Sequence, residues 1–265
     1  MSLIHKIREL SCLAGVAILD VYEREFSVVS KQDQSPLTEA DLLANQIILD
    51  GLREISPDIP VLSEESVSEF YGPNEKGLYW LVDPLDGTKE FINKSGDFTV
   101  NIALISKGKP VLSVVYVPVK DVLYFAELNQ GAYKLQNGEY SKIQVSPRKT
   151  DQPWRIVGSR SHGSDMHQCL SQLGPYELIS VGSSLKFCMV AEGLADLYPR
   201  FGPTSLWDTA AAQLVLEEAG GMLIDLNGKV LDYHNPGLVL NPYFLALGSV
   251  DIANLLKRPF NHPCS

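Results

Sequence analysis

The chain opens with a hydrophobic pattern that is typical of an amphipathic helix. From residue 3 to about residue 24, apolar side chains recur in steps of three and four, which places them on one helical face. The residues on this face are Ile4, Ile7, Leu10, Ala14, Ile18 and Val21. A second helix is predicted over residues 38–55.

Between residues 60 and 119 the pattern changes to short apolar runs that are rich in β-branched residues. The runs YWLVDP, FTVNIALI and PVLSVVYVPV are separated by Gly, Pro and Lys, which is typical of strands. Further along, strands and helices are predicted in alternation. The predicted strands are 155–158, 177–181 and 195–198, and the predicted helices are 166–173, 184–191 and 206–219.

This order of elements predicts two domains. A polar, proline-containing stretch near residues 146–153 is the best linker candidate. Residues 1–150 are predicted to form an α+β domain with an antiparallel sheet, and residues 151–265 an α/β domain with βαβ-like order. The length of 265 residues suits one large or two small domains.

The charge balance argues against a surface for duplex nucleic acid. The chain has 22 Lys and Arg against 32 Asp and Glu, a formal net charge of −10. An anionic ligand would therefore need local help from a metal ion or from a few placed cations.

The cysteines and the N-terminus indicate where the protein acts. The four cysteines form no CxxC pair and no cluster at zinc-ligand spacing, so we predict a reducing compartment. Charged residues interrupt the N-terminal apolar pattern, and no apolar run reaches membrane-spanning length. We expect a cytoplasmic location and leave open a peripheral contact with the inner face of the membrane.

Candidate metal-binding and catalytic side chains cluster in the stretch DPLDGT, residues 83–88. Pro84 biases Asp83 towards an extended backbone, so the strand is predicted to continue to Asp83 and then turn, with Gly87 in an unusual backbone conformation. Asp83 and Asp86 can then point to the same side. An ordinary β-turn is the alternative for this stretch.

Three other acidic positions accompany that turn. Asp41 is predicted at a helix start, Glu64 and Glu65 follow a short apolar run, and Asp208 is predicted at the start of a helix. Each has a simpler interpretation. Asp41 has the spacing of a capping box, and Asp208 would interact favourably with the positive N-terminal end of a helix dipole. A Glu-Glu pair usually lies on a solvent-exposed face.

Taken together, the order Asp, Glu-Glu, DPxDGT and WDxAA over residues 38–212 resembles the inositol monophosphatase superfamily of magnesium-dependent, lithium-sensitive phosphatases. The resemblance implies an α/β (α+β) fold, a layered αβαβα sandwich. It also implies that two or three Mg²⁺ ions are the cofactor. It implies that Asp41 and Thr88 position and activate water with help from Glu64. The implied metal ligands are Glu64, Asp83, Asp86, Asp208 and the backbone carbonyl of Leu85.

A physical argument for a metal stands beside the resemblance. Two unit charges about 4 Å apart at an effective dielectric of about 20 repel by roughly 4 kcal/mol, so clustered carboxylates need a counter-charge. Oxygen ligands without histidine or thiolate favour Mg²⁺ over zinc. No Ser-His-Asp or Cys-His arrangement is suggested, so water is the candidate nucleophile.

Two further segments narrow the substrate. DGTKEFI and VGSSLKFCMVAEGLADLYPRFGPTSLWD resemble the 3′(2′),5′-bisphosphate nucleotidase branch, which converts adenosine 3′,5′-bisphosphate to AMP and phosphate in sulfur assimilation. Action on the 5′-phosphosulfate analogue is left open. By family position, Ser183, Lys186 and Arg200 hold the non-reacting part of the nucleotide. The other implied substrate contacts are Glu64, Gly87, Thr88, Lys89 and Asp208.

Simpler interpretations remain for these residues. Without the resemblance, Lys186 reads as a surface lysine and Ser183 as a helix cap. His162 is a loop histidine whose role the sequence leaves open. Inositol monophosphatase activity with the same centre is the alternative function, and a non-catalytic phospho-ligand binding protein is the alternative of another class. A nuclease has no support from the charge balance, and the oligomeric state is not predicted.

Overall fold

Two long helices cover one face of a large sheet. The computed structural model describes residues 1–31, 35–147, 151–158 and 173–249. Helix α1 spans Leu3–Tyr22 and helix α2 spans Glu39–Ile55, so both predicted helices are confirmed. A short hairpin of β1 (Val28–Ser30) and β2 (Pro36–Thr38) lies between them. The apolar face of α1 is buried against the sheet as its periodicity predicts.

The large sheet has seven strands in chain order. They are β3 (Val61–Ser63), β4 (Leu78–Asp86), β5 (Thr99–Ser106), β6 (Lys109–Val117), β7 (Val122–Glu127), β8 (Gly131–Gln136) and β9 (Glu139–Ile143). Only β3 and β4 pair in parallel, and every later pair is antiparallel. Helix α3 (Thr88–Ile92) follows β4, and two 3₁₀-helices span Glu64–Glu69 and Pro118–Lys120.

A second sheet of five strands is mixed. Its strands are β10 (Trp154–Gly158), β11 (Tyr176–Ser180), β12 (Leu197–Arg200), β13 (Met222–Asp225) and β14 (Phe244–Leu247), in the order β11-β10-β12-β14-β13. Strand β10 is parallel to both its neighbours, as βαβ order predicts, whereas β14 is antiparallel to both of its own. The predicted helix over 166–173 lies outside the described residues except at its last position.

Helices α4 (Leu185–Ala191) and α5 (Ala210–Glu218) lie between the two sheets. One core cluster joins Tyr79 and Val115 of the first sheet to Leu214 of α5 and Phe244 of the second. The described residues therefore form four layers, helix, sheet, helix and sheet, and the predicted α/β class is confirmed. A separate apolar cluster lies on the outer face of the second sheet, around Ile156. The described residues contain no fifth layer.

The predicted domain division near residue 150 stays a prediction. The core cluster between the sheets draws side chains from both proposed domains, so the two parts share a hydrophobic interior. None of the described helices combines the length and the apolar character that a membrane span requires.

Candidate active site

Strand β4 ends in an irregularity that presents two carboxylates. The strand continues through Pro84 to Asp86, and its register with β5 shifts between Asp83 and Asp86. The expectation that the strand stops at Asp83 is therefore wrong, because a bulge tolerates the missing N–H of proline inside a sheet. Asp83 Oδ1 accepts a hydrogen bond from the Leu85 N–H at 3.0 Å. Gly87 follows with φ +94°, the left-handed conformation expected of it.

Three acidic side chains converge at this strand end. Glu64, Asp83 and Asp208 each offer a carboxylate oxygen, and these oxygens lie within 4.8 Å of one another. Glu64 follows β3, which is parallel to β4, so both strands end at the same edge of the sheet. Asp208 lies in a turn where its Oδ2 accepts from the Ser205 N–H at 2.9 Å. It precedes helix α5, which begins at Ala210, so the predicted helix start at residue 206 is corrected.

Burial makes this group of carboxylates costly to ionise. Burial and the nearby Glu64 raise the pKa of Asp83 well above its usual range. Burial and repulsion from Asp86 raise the pKa of Asp208 to about 8. Buried oxygen donors that repel one another fit a hard divalent cation, so the residues present suit the Mg²⁺ that is typical of the expected family.

Lys31 is an active-site neighbour that the sequence analysis missed. It lies beyond β1, and its Nζ is 2.8 Å from Glu64 Oε1 and 2.5 Å from Glu65 Oε1. Burial lowers the pKa of Lys31, but the two carboxylates outweigh that effect and raise it. Burial raises the pKa of Glu65 to about 7. The interpretation of the Glu-Glu pair as a solvated face is therefore wrong.

Asp86 is held by Ser184, from the second half of the chain, and by Asn101 of β5. Its Oδ2 accepts hydrogen bonds from the Ser184 backbone N–H and from Ser184 Oγ, both at 2.6 Å. Asn101 Nδ2 donates to the same oxygen at 3.2 Å. Ser184 Oγ also lies 2.7 Å from the backbone oxygen of Asp208. One serine thus connects the end of β4 to the turn before α5.

Asp41 divides its two oxygens between a structural and a candidate catalytic contact. Oδ2 accepts from the Thr38 N–H at 2.7 Å, which is one half of the capping box of α2, and also from Thr38 Oγ1 at 2.6 Å. Oδ1 accepts from Thr88 Oγ1 at 3.1 Å. Burial raises the pKa of Asp41. The capping box therefore holds the carboxylate in position for the second contact.

Two adjoining cavities open over these residues. One, of about 210 Å³, is lined by the acidic group together with Leu85 and Thr88. The other, of about 330 Å³, is lined by Ser183, Lys186 and Arg200. We refer to them as the acidic cavity and the cationic cavity. The residues that line both are Asp86, Gly87, Lys89, Glu90 and Asp208.

The cationic cavity contains a lysine without a counter-ion. Lys186 is 6% exposed, and its ammonium makes no hydrogen bond or ion pair with any residue that the structure describes. Its Nζ lies 5.3 Å from the centre of the Tyr198 ring. Burial lowers the pKa of Lys186 to about 8. The interpretation as a surface lysine is wrong, because helix α4 is buried between the sheets.

Arg200 and Ser183 complete this cavity. Arg200 Nε donates to Thr204 Oγ1 at 2.7 Å and Nη2 donates to the Pro203 carbonyl at 2.9 Å, which orients the guanidinium. Ser183 has φ +49° and accepts from the Leu185 N–H at 3.3 Å, so it does act at the helix start. His162 lies outside the described residues.

With this geometry in view, comparison with known proteins identifies the family. The sequence model of the inositol monophosphatase family matches residues 3–255, and the chain belongs to that family. The 3′(2′),5′-bisphosphate nucleotidase CysQ of Escherichia coli O6:H1 is 50% identical over 245 residues, which cover 91% of this chain and 98% of that protein.

Solved structures give the same result for the fold. The crystal structure of CysQ from Bacteroides thetaiotaomicron, a bacterial member of the family, has a TM-score of 0.77 and 37% identity. The match covers 92% of this chain and 96% of that one. The Thermotoga maritima inositol monophosphatase has a TM-score of 0.80 and 25% identity, with 98% and 97% covered. The expected layered fold is therefore confirmed.

Proposed function

We propose that the chain is a magnesium-dependent phosphatase that removes the 3′-phosphate of adenosine 3′,5′-bisphosphate in sulfur assimilation. The observation that carries this proposal is the pairing of an acidic cavity with a cationic cavity. The latter contains the ammonium of Lys186, which has no hydrogen bond or ion pair with any residue in the described ranges. A substrate with two phosphates matches both cavities at once. The name of the 50% identical relative, a 3′(2′),5′-bisphosphate nucleotidase, supports this choice.

In this proposal the two phosphates have different environments. The phosphate that is removed binds in the acidic cavity, beside the backbone N–H groups at Gly87, Thr88 and Lys89. The phosphate that stays binds in the cationic cavity, where Arg200 can form two parallel hydrogen bonds and Lys186 supplies a point charge. Ser183 contributes a hydroxyl to the same cavity.

Two or three Mg²⁺ ions would be held by the carboxylates of Glu64, Asp83, Asp86 and Asp208 and by the Leu85 carbonyl. When bound, the metal supplies positive charge for the phosphate oxygens and a more acidic water. Glu64 can serve as a ligand and keep its contact with Lys31, because that ammonium donates to Oε1 and a carboxylate has a second oxygen.

Thr88 and Asp41 are proposed to position the attacking water and take its proton. The Thr88 hydroxyl donates to Asp41 Oδ1, so its lone pairs are free to accept from water. Asp41 Oδ2 is fixed by Thr38, which leaves Oδ1 as the proton acceptor. Burial raises the pKa of Asp41 and so makes it a stronger base than an exposed aspartate. Glu64, which also lines the acidic cavity, assists them.

The test is phosphate release from adenosine 3′,5′-bisphosphate and from inositol 1-phosphate, side by side, with Mg²⁺ and then with a chelator. We expect release from the nucleotide, lost on chelation and restored by added Mg²⁺. Preference for inositol 1-phosphate would instead support the alternative monophosphatase. Tight nucleotide binding in Mg²⁺ without any phosphate release would support the non-catalytic alternative and contradict the proposal.

A further inference from the structure

Glu90 is a carboxylate in a place where phosphate-binding groups are expected. It belongs to α3, next to Lys89, and it lines both the acidic and the cationic cavity. Within the described ranges its carboxylate makes no hydrogen bond and no ion pair within 4.0 Å, although it interacts electrostatically with Lys186. An unpaired carboxylate between two proposed phosphate positions repels phosphate and accepts hydrogen bonds only.

The surrounding chain makes room for this side chain. A Cβ atom built on Gly182 would lie 2.4 Å from Glu90 Cγ and 2.9 Å from its Cδ. Gly182 is not in the left-handed region, so its lack of a side chain is explained by space and not by backbone conformation. A Cβ on Gly87 would lie 3.3 Å from Glu90 Oε2. Two glycines thus allow Glu90 to lie over the junction of the cavities.

The position of Glu90 indicates which part of a substrate it meets. In a nucleoside 3′,5′-bisphosphate the ribose joins the two phosphates, and the hydroxyl next to the reacting phosphate is the only hydrogen-bond donor of that ring. With the phosphates in the two cavities, the ribose lies at their junction. A carboxylate there can accept from that hydroxyl, which gives a charge-assisted hydrogen bond.

We propose that Glu90 is a specificity-determining residue that accepts a hydrogen bond from the ribose hydroxyl adjacent to the reacting phosphate. The inference rests on the proposed function and adds a preference for ribonucleotides over deoxyribonucleotides. Glu90 also disfavours a second phosphate on that neighbouring oxygen, because two anionic groups would then face each other in a partly buried cavity.

The experiment compares kcat/KM for adenosine 3′,5′-bisphosphate and for its 2′-deoxy analogue in the wild type, Glu90→Met and Glu90→Gln. Methionine keeps the approximate length and shape but cannot replace the carboxylate as an acceptor. We expect the wild type to prefer the ribonucleotide and Glu90→Met to reduce that preference by about 10- to 100-fold, the range for a hydrogen bond to a charged group. Glu90→Gln, which keeps a carbonyl acceptor, retains more of the preference than Glu90→Met.

Glu54→Met, at an exposed position of α2, is the matched control and leaves the preference unchanged. An equal loss for both substrates in Glu90→Met, or a wild type without any preference, would overturn the inference while leaving the nucleotidase proposal intact. Absence of turnover of either nucleotide by the wild type would instead overturn the proposed function. Melting temperatures of the variants establish that each is folded.

Discussion

The acidic and cationic cavities differ in how their charged groups are held. Asp86, which lines the first, and Asp41, which is bonded to the lining residue Thr88, are fixed by hydrogen bonds from Ser184, Thr38 and Thr88. In the second, Lys186 is buried with no hydrogen bond or ion pair in the described part of the chain. The acidic cavity is lined by five carboxylates and Lys89, whereas Lys186 and Arg200 line only the cationic cavity, beside the shared Asp86, Glu90 and Asp208. The excess of carboxylates in the first cavity therefore favours a bound cation, and the unpaired ammonium of Lys186 in the second can accept an anion.

This difference assigns separate roles to the two regions. Water and metal must be positioned precisely, because a small misplacement of either lowers the reaction rate strongly. Groups that are fixed by several hydrogen bonds can provide that precision. A buried cation without an ion-pair partner contributes instead to substrate affinity and to discrimination between substrates. Substitutions in the acidic cavity should therefore lower kcat, and substitutions in the cationic cavity should raise KM.

The largest effect is expected from Asp83→Asn. The substitution removes a buried charge from the centre of the proposed metal site, so we expect kcat to fall by about 100- to 1,000-fold or more. We also expect Mg²⁺ to raise the melting temperature of the wild type and not that of the variant. Asp50→Asn on the exposed surface of α2 is the control for both measurements. Near-normal turnover by Asp83→Asn would contradict the metal-site assignment.

A smaller effect is expected from Thr88→Val. Valine has a similar shape but no hydroxyl, so the proposed route of the proton to Asp41 is broken. We expect kcat to fall by about 100-fold with KM within about twofold, because the hydroxyl acts on water and not on the substrate. Thr88→Ser restores the hydroxyl and should recover most of the rate. A Val variant with a raised KM and an unchanged kcat would show that Thr88 only binds substrate.

The smallest effect is expected from pH. Burial lowers the pKa of Lys186 to about 8, while Asp86, Glu90 and Asp208 raise it and Arg200 lowers it further. Its positive charge is present below that pH and lost above it. We expect the preference for adenosine 3′,5′-bisphosphate over adenosine 3′-monophosphate, as a ratio of kcat/KM values, to fall about tenfold from pH 7 to pH 9.

The ratio of the two substrates cancels titrations that affect both equally. Lys186→Arg keeps a cation with a much higher pKa, so its ratio should stay constant over the same range. A fall of the same size in Lys186→Arg would assign the pH dependence to another group.

The parts of the fold that could be predicted are those with a strong local signal. Helix α1 follows from the 3.6-residue spacing of its apolar face, and the capping box marks the start of α2. The end of β4 was misplaced because Pro84 normally argues against a central strand, and only pairing with β5 reveals the bulge. Strands β7 to β9, β13 and β14 were not predicted; β7 to β9 pair with their neighbours along the chain, and β14 pairs both with β13 and with the earlier β12.

The candidate site shows the same division. The order of acidic motifs predicted which carboxylates meet, since a resemblance carries information about distant contacts that a local pattern does not. The contacts of Lys31 with Glu64 and Glu65 join positions more than 30 residues apart, and no local feature announces them. The burial of Lys186 could not be predicted from the sequence either, because an amphipathic pattern does not show that both faces of a helix are covered. Glu90 was visible in DGTKEF, but without the cavities it had no assigned role.

The most direct test of the two-cavity account is a cycle that pairs a change in the protein with a change in the substrate. It measures kcat/KM for adenosine 3′,5′-bisphosphate and adenosine 3′-monophosphate in the wild type and in Lys186→Met. The account predicts that the wild type prefers the bisphosphate by at least about tenfold and that the variant loses most of this preference. An unchanged preference in Lys186→Met, with both substrates affected alike, would contradict the claim that the cationic cavity binds the second phosphate.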